Sequence, residues 1–345
     1  MEEIAITAIN AHTPVGHGAA MTAASVRAGL TRFTKSEEFK DSETNPITMA
    51  QIKGMDDKNT HRAERLAAIA DHCLAQMLEI YFAGVMYRPP RIHLFLGVAA
   101  SQRPGPRYEK YCLPRLQSTL AELTAQVEAQ SLAKGNTAAL YGLDLAAQTI
   151  AAQPDTLCIV GGVDCLLNPD TLNWFEKDRR LKSESKDRAF GLIPAEAVGF
   201  MVVESKPLAM RRGKKILAQV AGLGLAQEPA PFVSEKTSTA QGLTLACRQA
   251  LKDINPASIT TVLGDLNGEA HRSWEWSCAE IRCLGGNANH RILRQPAECC
   301  GDIGAASGAV LTTIAALGFV HQWLAAPALL FCVDDHGPCG ALVLK

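Results

Sequence analysis

The chain has 345 residues, of which 47% are apolar and 20% charged; this composition supports a large buried core and excludes extensive disorder. With 34 basic and 35 acidic side chains the formal net charge is −1, and the densest charged stretch, residues 177–186, mixes both signs, which argues against a nucleic-acid-binding surface. The eleven cysteines contain no Cys-x-x-Cys pair, so we expect buried free thiols in a reducing compartment rather than a zinc site or a disulfide framework.

Hydrophobic periodicity predicts alternating strands and helices through the first half of the chain. In chain order these are a strand at 4–9, a turn at Thr13-Pro14-Val15-Gly16, a helix at 21–28, a loop at 30–59, a helix at 61–83, a strand at 92–98, a loop at 101–107, a helix at 116–129, a buried helix at 137–152 and a central strand at 156–163. The helix at 137–152 is apolar on nearly every side, which is typical of a buried helix.

The second half of the chain repeats this alternation. In chain order it contains strands at 197–203 and 216–223 separated by a basic helix at 208–214, a helix at 243–254, a strand at 259–266, a helix at 274–284, a helix at 304–320 and strands at 328–333 and 341–344. Residues 303–320 carry no charge and reach the length of a membrane span. Because they are rich in Gly, Ala, Ser and Thr, we interpret them as a buried core helix.

The two halves resemble each other in plan, since each contains one nearly uncharged helix that follows a polar loop. This organisation predicts an α/β fold built by internal duplication, with two sheets enclosing buried helices. No low-complexity linker separates the halves, so we expect residues 1–205 and 206–345 to form one compact unit. The N-terminus shows no signal-peptide pattern, which predicts a cytoplasmic protein.

Several stretches resemble, in the correct order, motifs of the β-ketoacyl synthases of fatty-acid and polyketide synthesis. They are the opening strand with its turn at Thr13-Pro14-Val15-Gly16, Gly161-Gly162-Val163-Asp164, the stretch from Asp187-Arg188 to Glu196 and Gly199, Gly301-Asp302-Ile303-Gly304-Ala305-Ala306-Ser307-Gly308-Ala309, and the closing Gly340-Ala341-Leu342-Val343-Leu344. The resemblance implies a thiolase-like layered αβαβα architecture from two duplicated halves.

The family's catalytic residues are replaced at the matching positions. In the family, a cysteine at the N-terminus of a buried helix accepts the acyl group, and two histidines stabilise the enolate formed when malonyl loses carbon dioxide. The resemblance places Asn136 at the cysteine position and Asn267 and Asp302 at the two histidine positions. An amide does not form an acyl thioester, and a carboxylate repels developing negative charge. The resemblance therefore implies no intact catalytic site.

Other family features are also missing or displaced. Asp334-Asp335-His336-Gly337 stands where the family has a Gly-Phe-Gly-Gly gate, and residues 295–300 lack the expected lysine. His271, four residues after Asn267, is the candidate for a displaced histidine. Cys300 is a candidate displaced thiol, and Cys339 could correspond to the second cysteine of the thiolase branch. Glu196 matches the family's signature glutamate, whose position serves structure rather than chemistry.

Structural roles compete with functional ones for these residues. Asn136 and Asp302 could cap the buried helices, because Asn and Asp side chains accept hydrogen bonds from unpaired N–H groups at helix starts. The stretch 267–276 is dense in Glu, His, Arg and Trp and could bind a ligand or partner. We favour a loop that leads into a helix, with Trp274 and Trp276 packed inward.

Two functions follow from the sequence. The first is a non-catalytic binding, scaffolding or accessory subunit, in which Asn136, Asn267, His271, Asp302 and His336 line a remodelled polar pocket. It would act as a homodimer or with a related subunit, as the chain-length-factor subunits of aromatic polyketide synthases do, and an acyl carrier protein or acyl thioester is a possible partner. The second is a divergent 3-oxoacyl-(acyl carrier protein) synthase-like acyltransferase using His271, Cys300 or Asp302. We expect no cofactor, metal, nucleic acid or membrane.

Overall fold

Strands and helices alternate along the chain in the computed structural model, which describes residues 4–54, 61–84, 87–234, 236–285 and 291–345. The first part contains β1 (Ile4–Thr13), β2 (Gly16–His17), α1 (Ala19–Arg27), β3 (Thr34–Lys40), β4 (Pro46–Met49), α2 (Arg62–Phe82), β5 (Ile92–Val98), α3 (Glu109–Ala121), β6 (Val127–Ala133), α4 (Ala138–Ala152), β7 (Leu157–Cys165), α5 (Pro169–Lys177) and β8 (Glu196–Ser205). The second part contains α6 (Lys206–Arg211), β9 (Ala218–Gln227), α7 (Gln241–Ala250), β10 (Thr261–Gly264), α8 (Ala270–Leu284), β11 (Ile292–Arg294), α9 (Ala297–Cys300), α10 (Ser307–Val320), β12 (Ala328–Val333) and β13 (Pro338–Leu344).

Eleven strands of the described residues form one sheet, in the order β11-β10-β12-β13-β9-β1-β8-β7-β5-β6, with β2 attached to β1. The innermost strands β1 and β9 pair antiparallel and join two groups of five strands. The spatial order of the strands is the same in both groups. From the junction outward it is β1-β8-β7-β5-β6 in the first group and β9-β13-β12-β10-β11 in the second, so in each group the strand that comes last in the chain lies beside the one that comes first. Both also have two antiparallel pairings followed by two parallel ones. The predicted α/β fold is confirmed, while the division at residue 205 stays a prediction.

Helices form three layers around the two groups of strands. Helices α2 and α3 cover the outer face of the first group, α7 and α8 cover the second, and α4 and α10 lie between them. In α10, the charge-free sequence leaves Val310, Leu311 and Ile314 fully or almost fully buried, and each contributes roughly 1.5–3 kcal/mol of hydrophobic stabilisation. A Cβ atom at Gly308 would lie 3.0 Å from the Cβ of Ala139 in α4. Small residues therefore let the two central helices approach closely.

The uncharged stretch 303–320 is a core element, as predicted. It forms a 3-10 turn at Gly304–Ala306 that continues into the buried helix α10. Within the described ranges, no helix is both long enough and apolar enough to cross a membrane. All eleven cysteines are free, nine of them buried, which confirms the predicted free thiols.

Two local predictions are wrong. The predicted loop at 30–59 contains the hairpin β3–β4 before residue 55, and its last residues lie outside the described part. The predicted helix at 116–129 is displaced along the chain, because α3 spans Glu109–Ala121 and residues 127–133 form the strand β6, which pairs with β5. In both cases pairing with a neighbouring strand outweighs weak local preference, since β3 is largely polar and β6 contains good helix formers.

Candidate functional site

The 3-10 turn that leads into α4 brings Asn136 against the end of strand β10. Asn136 is buried, and its side-chain amide donates a hydrogen bond to Asp265 Oδ2 over 3.1 Å. Thr137, at the N-cap position of α4, makes no side-chain capping bond. Asn136 therefore acts as a donor across the interface between the two groups of strands, and the predicted helix-capping role for this residue is wrong.

Asn267 and Asp302, which the sequence places at the two histidine positions, contact each other directly. The Asn267 amide donates to Asp302 Oδ2 over 2.7 Å and to Glu269 Oε2 over 2.9 Å. The other Asp302 oxygen, Oδ1, accepts from the Gly304 backbone N–H over 2.9 Å, at the start of the turn that precedes α10. The capping role predicted for Asp302 is thus confirmed, together with its place in the polar cluster.

Arg272 lies at the centre of this cluster and joins three segments. Its guanidinium is 4% exposed and donates to Asp265 Oδ2 over 3.2 Å, to Asp335 Oδ1 over 3.0 Å and to the Val333 carbonyl. Asp265 Oδ2 also accepts from the Val333 N–H over 3.0 Å. Because Asp265 follows β10 and Asp335 follows β12, the arginine joins the ends of two parallel neighbouring strands.

A second buried arginine, Arg180, extends the cluster. It donates to Glu269 through Nε over 2.6 Å and through Nη2 over 2.9 Å, and its Nη2 lies 2.8 Å from Asp335 Oδ2. Its guanidinium also packs over the rings of Trp174, Phe175 and Phe232 at 5.4, 4.8 and 4.4 Å. Arg180 therefore pairs with one oxygen of Asp335, and Arg272 pairs with the other.

A third arginine, Arg103, forms an ion pair beside the turn that precedes α10. Arg103 donates to both oxygens of Asp164, at the end of β7, with an Nη1–Oδ2 distance of 2.9 Å. Asp164 Oδ2 also accepts from the Ala305 N–H over 2.8 Å. This carboxylate holds a backbone donor at the start of the central helix, a position where a negative charge is favoured.

The inner side of the cluster leaves almost no open volume, whereas its outer side, at His271, borders a cavity of about 680 Å³. The inner cavity, lined by residues including Asp265, Cys300, Asp302 and Ser307, has a volume of about 10 Å³. Sites for small-molecule ligands usually enclose roughly 300–1,000 Å³, whereas about 10–15 Å³ holds one water molecule. Among the described residues, Asp265 Oδ1 is a buried oxygen without a hydrogen-bond partner. The space matches a single water and not an acyl chain.

Burial raises the pKa values of two carboxyl groups in the cluster, whereas the arginines lower the pKa values of two others. Desolvation raises the pKa of Asp265 to about 7, although Arg272 opposes the shift, and it also raises the pKa of Asp302. The pKa of Asp335 is held far below its usual range by Arg180 and Arg272, which outweigh the cost of burial, and Arg180 likewise lowers the pKa of Glu269. Asp335 and Glu269 are therefore charged at neutral pH, and Asp265 exchanges its proton near neutrality.

The two histidines of the predicted pocket lie at the rim of the cluster in aromatic stacks. His271 stacks on Phe232 with ring centres 4.2 Å apart, and its Nε2 is 3.9 Å from Asp335 Oδ1, beyond hydrogen-bond distance. Burial lowers the pKa of His271 to about 4. His336 stacks on Trp174 at 5.8 Å, and its Nδ1 is 3.0 Å from Asp334 Oδ1. Among the described residues, neither imidazole forms a hydrogen bond with Asn136.

Glu269, His271 and Asp335 bring potential metal ligands within 4.8 Å of one another. All four carboxylate oxygens of this trio already accept hydrogen bonds or ion pairs from Arg180, Arg272 or Asn267. A divalent cation there would approach two guanidinium groups. The donor set therefore does not fit a metal ion.

The displaced thiols are poorly placed for chemistry. Cys300 is fully buried, its Sγ donates to the Pro296 carbonyl over 3.1 Å, and burial raises its pKa. Cys339, in β13, is also buried with a raised pKa, and its Sγ donates to the Gly337 carbonyl. Thiolates are the reactive form of cysteine, so these environments disfavour nucleophilic attack.

Glu196 contacts structural groups. Its carboxylate accepts hydrogen bonds from Arg65 over 2.8 and 3.0 Å and from the Ile52 N–H over 3.0 Å, and it is fully buried.

The two tryptophans of α8 differ in exposure. Trp276 is buried against Phe331, whereas Trp274 is 56% exposed. The prediction that both tryptophans pack inward is therefore wrong for Trp274.

Asn267 and Asp302 contact each other directly, and Asn136 is linked to them through Asp265, Arg272 and Glu269. The charged residues of the cluster were not predicted from the sequence. These are Arg103, Asp164, Arg180, Asp265, Glu269, Arg272 and Asp335. The sequence does contain one indication of this cluster: acidic residues occur at or just after the ends of β7, β10 and β12. Charges at strand ends in an α/β sheet meet at one edge.

Comparisons with known proteins agree with this fold. A family model described as "Beta-ketoacyl synthase, N-terminal domain" matches residues 131–209. Polyketide synthase GfsA from Streptomyces halstedii is 35% identical over 101 residues, which is 28% of this chain and 1% of the length of that protein. The chain therefore spans only a small part of that relative.

Solved ketosynthase structures superpose over the whole chain. A type II polyketide synthase acyl-carrier protein in complex with its ketosynthase bound to the hexaketide (AntDE:AntF) gives a TM-score of 0.80 at 16% identity, covering 100% of this chain and 99% of that one. The ishigamide ketosynthase/chain length factor gives a TM-score of 0.79 at 16% identity, with the same coverage. At identities this low, the superpositions establish a shared fold and nothing more.

Proposed function

Because the chain is a divergent member of the β-ketoacyl synthase family, we propose that it is a non-condensing accessory subunit that binds or scaffolds a partner. The single observation that supports this proposal is the close packing of polar side chains where the resemblance expects the acyl group. Buried side chains occupy the region around Asn136, and the adjoining cavity measures about 10 Å³. An acyl thioester would have to displace several buried ion pairs to enter.

The chemistry of the cluster supports the same proposal. Asn136 offers an amide where a nucleophilic thiol is needed, and this amide is held by Asp265. Condensation also requires donors for a developing enolate. Asn267 directs its amide at two carboxylates instead, and Asp302 would repel the enolate charge. Malonyl decarboxylation is therefore disfavoured.

We propose that the partner is a related subunit. The alternative is a second copy of this chain, which would form a homodimer. The ishigamide structure is a ketosynthase/chain length factor, and AntDE:AntF includes an acyl-carrier protein. In this chain, β6 forms one edge of the large sheet and pairs only with β5 among the described strands. A seven-residue edge strand offers backbone groups for pairing with a second chain. The cysteine content favours a cytoplasmic setting.

One experiment separates this proposal from a divergent acyltransferase. Purified protein is mixed with a malonyl thioester, alone and with an acyl thioester, and carbon dioxide release is measured against an active ketosynthase. We expect release at the rate without protein. Release that is lost in Cys300→Ser, His271→Gln or Asp302→Asn would overturn the proposal in favour of the acyltransferase.

The partner surface is tested separately by sedimentation. Gln130→Lys places a charge on the edge strand β6, and Ile292→Lys does the same on the exposed opposite edge, β11. We expect the β6 variant to dissociate from its partner or second copy, while the β11 variant stays associated. Equal association of both variants would exclude pairing through β6.

A further inference from the structure

A cavity outside the candidate site lies where the large sheet has a gap. Strand β9 pairs with β1 only at residues 4–6, and β2 pairs with β1 only at residues 12 and 13. Among the described strands, none covers this edge of β1 at residues 7–11. Residues of β1, α1, α2 and the segment after α6 line a cavity of about 740 Å³ there, which we call the β1 cavity. Sites for small molecules usually measure roughly 300–1,000 Å³.

The β1 cavity is remote from the polar cluster around Asn136. Leu317, near the end of α10, lines the β1 cavity, whereas Ser307, at the start of the same helix, lines the small cavity beside the cluster. An α-helix rises about 1.5 Å per residue, which separates the two positions by about 15 Å along its axis. A ligand in the β1 cavity would therefore leave the candidate site untouched, and its binding does not depend on the proposed accessory function.

One part of the cavity wall is apolar. Ile80 on α2 is 72% exposed and Met21 on α1 is 49% exposed, and Leu217 and Leu317 line the same cavity. Single apolar side chains in water are common, but several that line one concave surface are typical of a ligand site. An alkyl chain placed there would remove their surfaces from water, which favours binding.

The segment after α6 adds positive charge to the wall. Arg212 is already engaged, because it donates to Glu204 Oε2 over 3.2 Å and its guanidinium lies 3.7 Å from the centre of the Tyr87 ring. Lys214 Nζ donates to the Tyr81 carbonyl and lies 4.1 Å from the centre of that residue's ring. These contacts hold both cations at the cavity wall.

Lys214 and Lys215 keep their charges available for a ligand. Within the described part of the chain, no carboxylate lies within ion-pair distance of either ammonium group. Lys215 is exposed. Among the described residues that line the cavity, Glu79 is the one acidic side chain, and it is exposed. Because Glu204 balances Arg212, two lysines against one glutamate leave the cavity positive.

We propose that the β1 cavity binds an alkyl chain that ends in an anionic oxygen group, either a carboxylate or a phosphate ester. The chain would pack against Ile80, Met21 and Leu317. The head group would accept charge-assisted hydrogen bonds from Lys215 and Lys214, whose ammonium groups are donors only. The apolar wall favours such a ligand over an inorganic anion, and the positive charge disfavours a cationic amphiphile.

Isothermal titration calorimetry with the full chain tests the ligand class. Four ten-carbon compounds are compared below their critical micelle concentrations: decanoate, decyl phosphate, decanol and decyltrimethylammonium. We expect one molecule of either anion to bind per chain, and the neutral and cationic compounds to bind at least about tenfold more weakly. The tighter of the two anions identifies the head group. Equal affinity for all four compounds, or no binding of either anion, would overturn the proposal.

Two pairs of variants test the two parts of the wall. Lys215→Glu should weaken decanoate binding at least about tenfold, because it replaces an attractive charge with a repulsive one. Its control is Lys252→Glu, which changes an exposed lysine outside the cavity and should have no effect. Ile80→Asp should weaken binding to a similar extent. Its control is Ile281→Asp, since Ile281 is also exposed on a helix, at 66%.

One further variant separates the β1 cavity from the cavity at His271. Trp274 lines that second cavity, and Trp274→Ala should leave the affinity for decanoate unchanged. Circular dichroism verifies that each variant is folded, so that a change in affinity reports binding. Unchanged affinity in both Lys215→Glu and Ile80→Asp, or a loss of affinity in Trp274→Ala alone, would place the ligand elsewhere and overturn the proposal.

Discussion

The Asn267 side-chain amide donates a hydrogen bond to the Asp302 carboxylate over 2.7 Å. These two residues stand where the family resemblance expects the two histidines. Instead of two imidazoles facing a substrate, the positions hold a donor and an acceptor that satisfy each other. The polar groups of this region are therefore directed at one another.

Restoring the thiol alone should not restore chemistry. In Asn136→Cys, the new thiol would face the Asp265 carboxylate, which disfavours a thiolate, and no imidazole would hold the enolate. We expect no carbon dioxide release from a malonyl thioester above the rate without protein. Decarboxylation by this single variant would show that the site is open and that the assignment of Asn136 is wrong.

Removing Arg272 should strongly destabilise the fold. Arg272→Met leaves Asp265 and Asp335 buried with one counter-charge fewer, and breaking a buried ion pair in this way costs roughly 3–5 kcal/mol. Urea unfolding measures the loss. Arg179→Met is the control, because the Arg179–Glu43 ion pair is about half exposed and such pairs contribute roughly 0–1 kcal/mol. Equal stability of the two variants would contradict the importance of the buried network.

The two tryptophans of α8 provide a matched pair. Trp276 is buried and lies parallel to Phe331 with ring centres 4.2 Å apart, so Trp276→Ala should destabilise the protein by roughly 3–5 kcal/mol. Trp274 is 56% exposed, and Trp274→Ala should change the unfolding free energy by less than about 1 kcal/mol. A larger loss from the Trp274 variant would show that this region packs differently.

Protonation of His12 should contribute to the loss of folding stability in acid. Burial lowers the pKa of His12 to about 4, its hydrogen bond with Gln76 opposes this shift, and nearby His72 and His17 reinforce it. The pKa of a histidine in the unfolded chain is about 6.5. Between these values the unfolded chain binds a proton that the folded protein does not, so stability falls as the pH drops from about 6.5 towards 4.

His12→Gln tests this assignment, because glutamine does not titrate in that range. Unfolding free energies measured across it should fall less steeply with acid in the variant than in the wild type. An identical slope in both proteins would show that His12 does not contribute to the acid sensitivity.

Ordered motifs such as Gly161-Gly162-Val163-Asp164 and Gly301-Asp302-Ile303-Gly304 allowed the fold to be predicted. Strand β6 was missed because its Glu, Ala, Gln and Leu residues favour a helix in isolation, and only pairing with β5 makes it a strand. The hairpin β3–β4 was missed because β3 exposes most of its polar side chains. Local preference carries no information about a partner strand that comes from elsewhere in the chain.

The site was predicted less completely than the fold. Asn136, Asn267 and Asp302 could be placed because each lies in a motif or at a helix start. Arg180 and Arg272 could not, since their partners come from segments as distant as Asp335. Ion pairs between remote segments depend on the folded geometry, and single-sequence patterns do not contain it.

The most direct test of the proposed lack of acyl transfer is intact mass spectrometry. The wild-type protein is incubated with a medium-chain acyl thioester, with an active ketosynthase as the positive control, and both are weighed under denaturing conditions. We predict that only the control gains the mass of an acyl group. An acyl adduct on this protein that is lost when a single cysteine is replaced by serine would contradict the account.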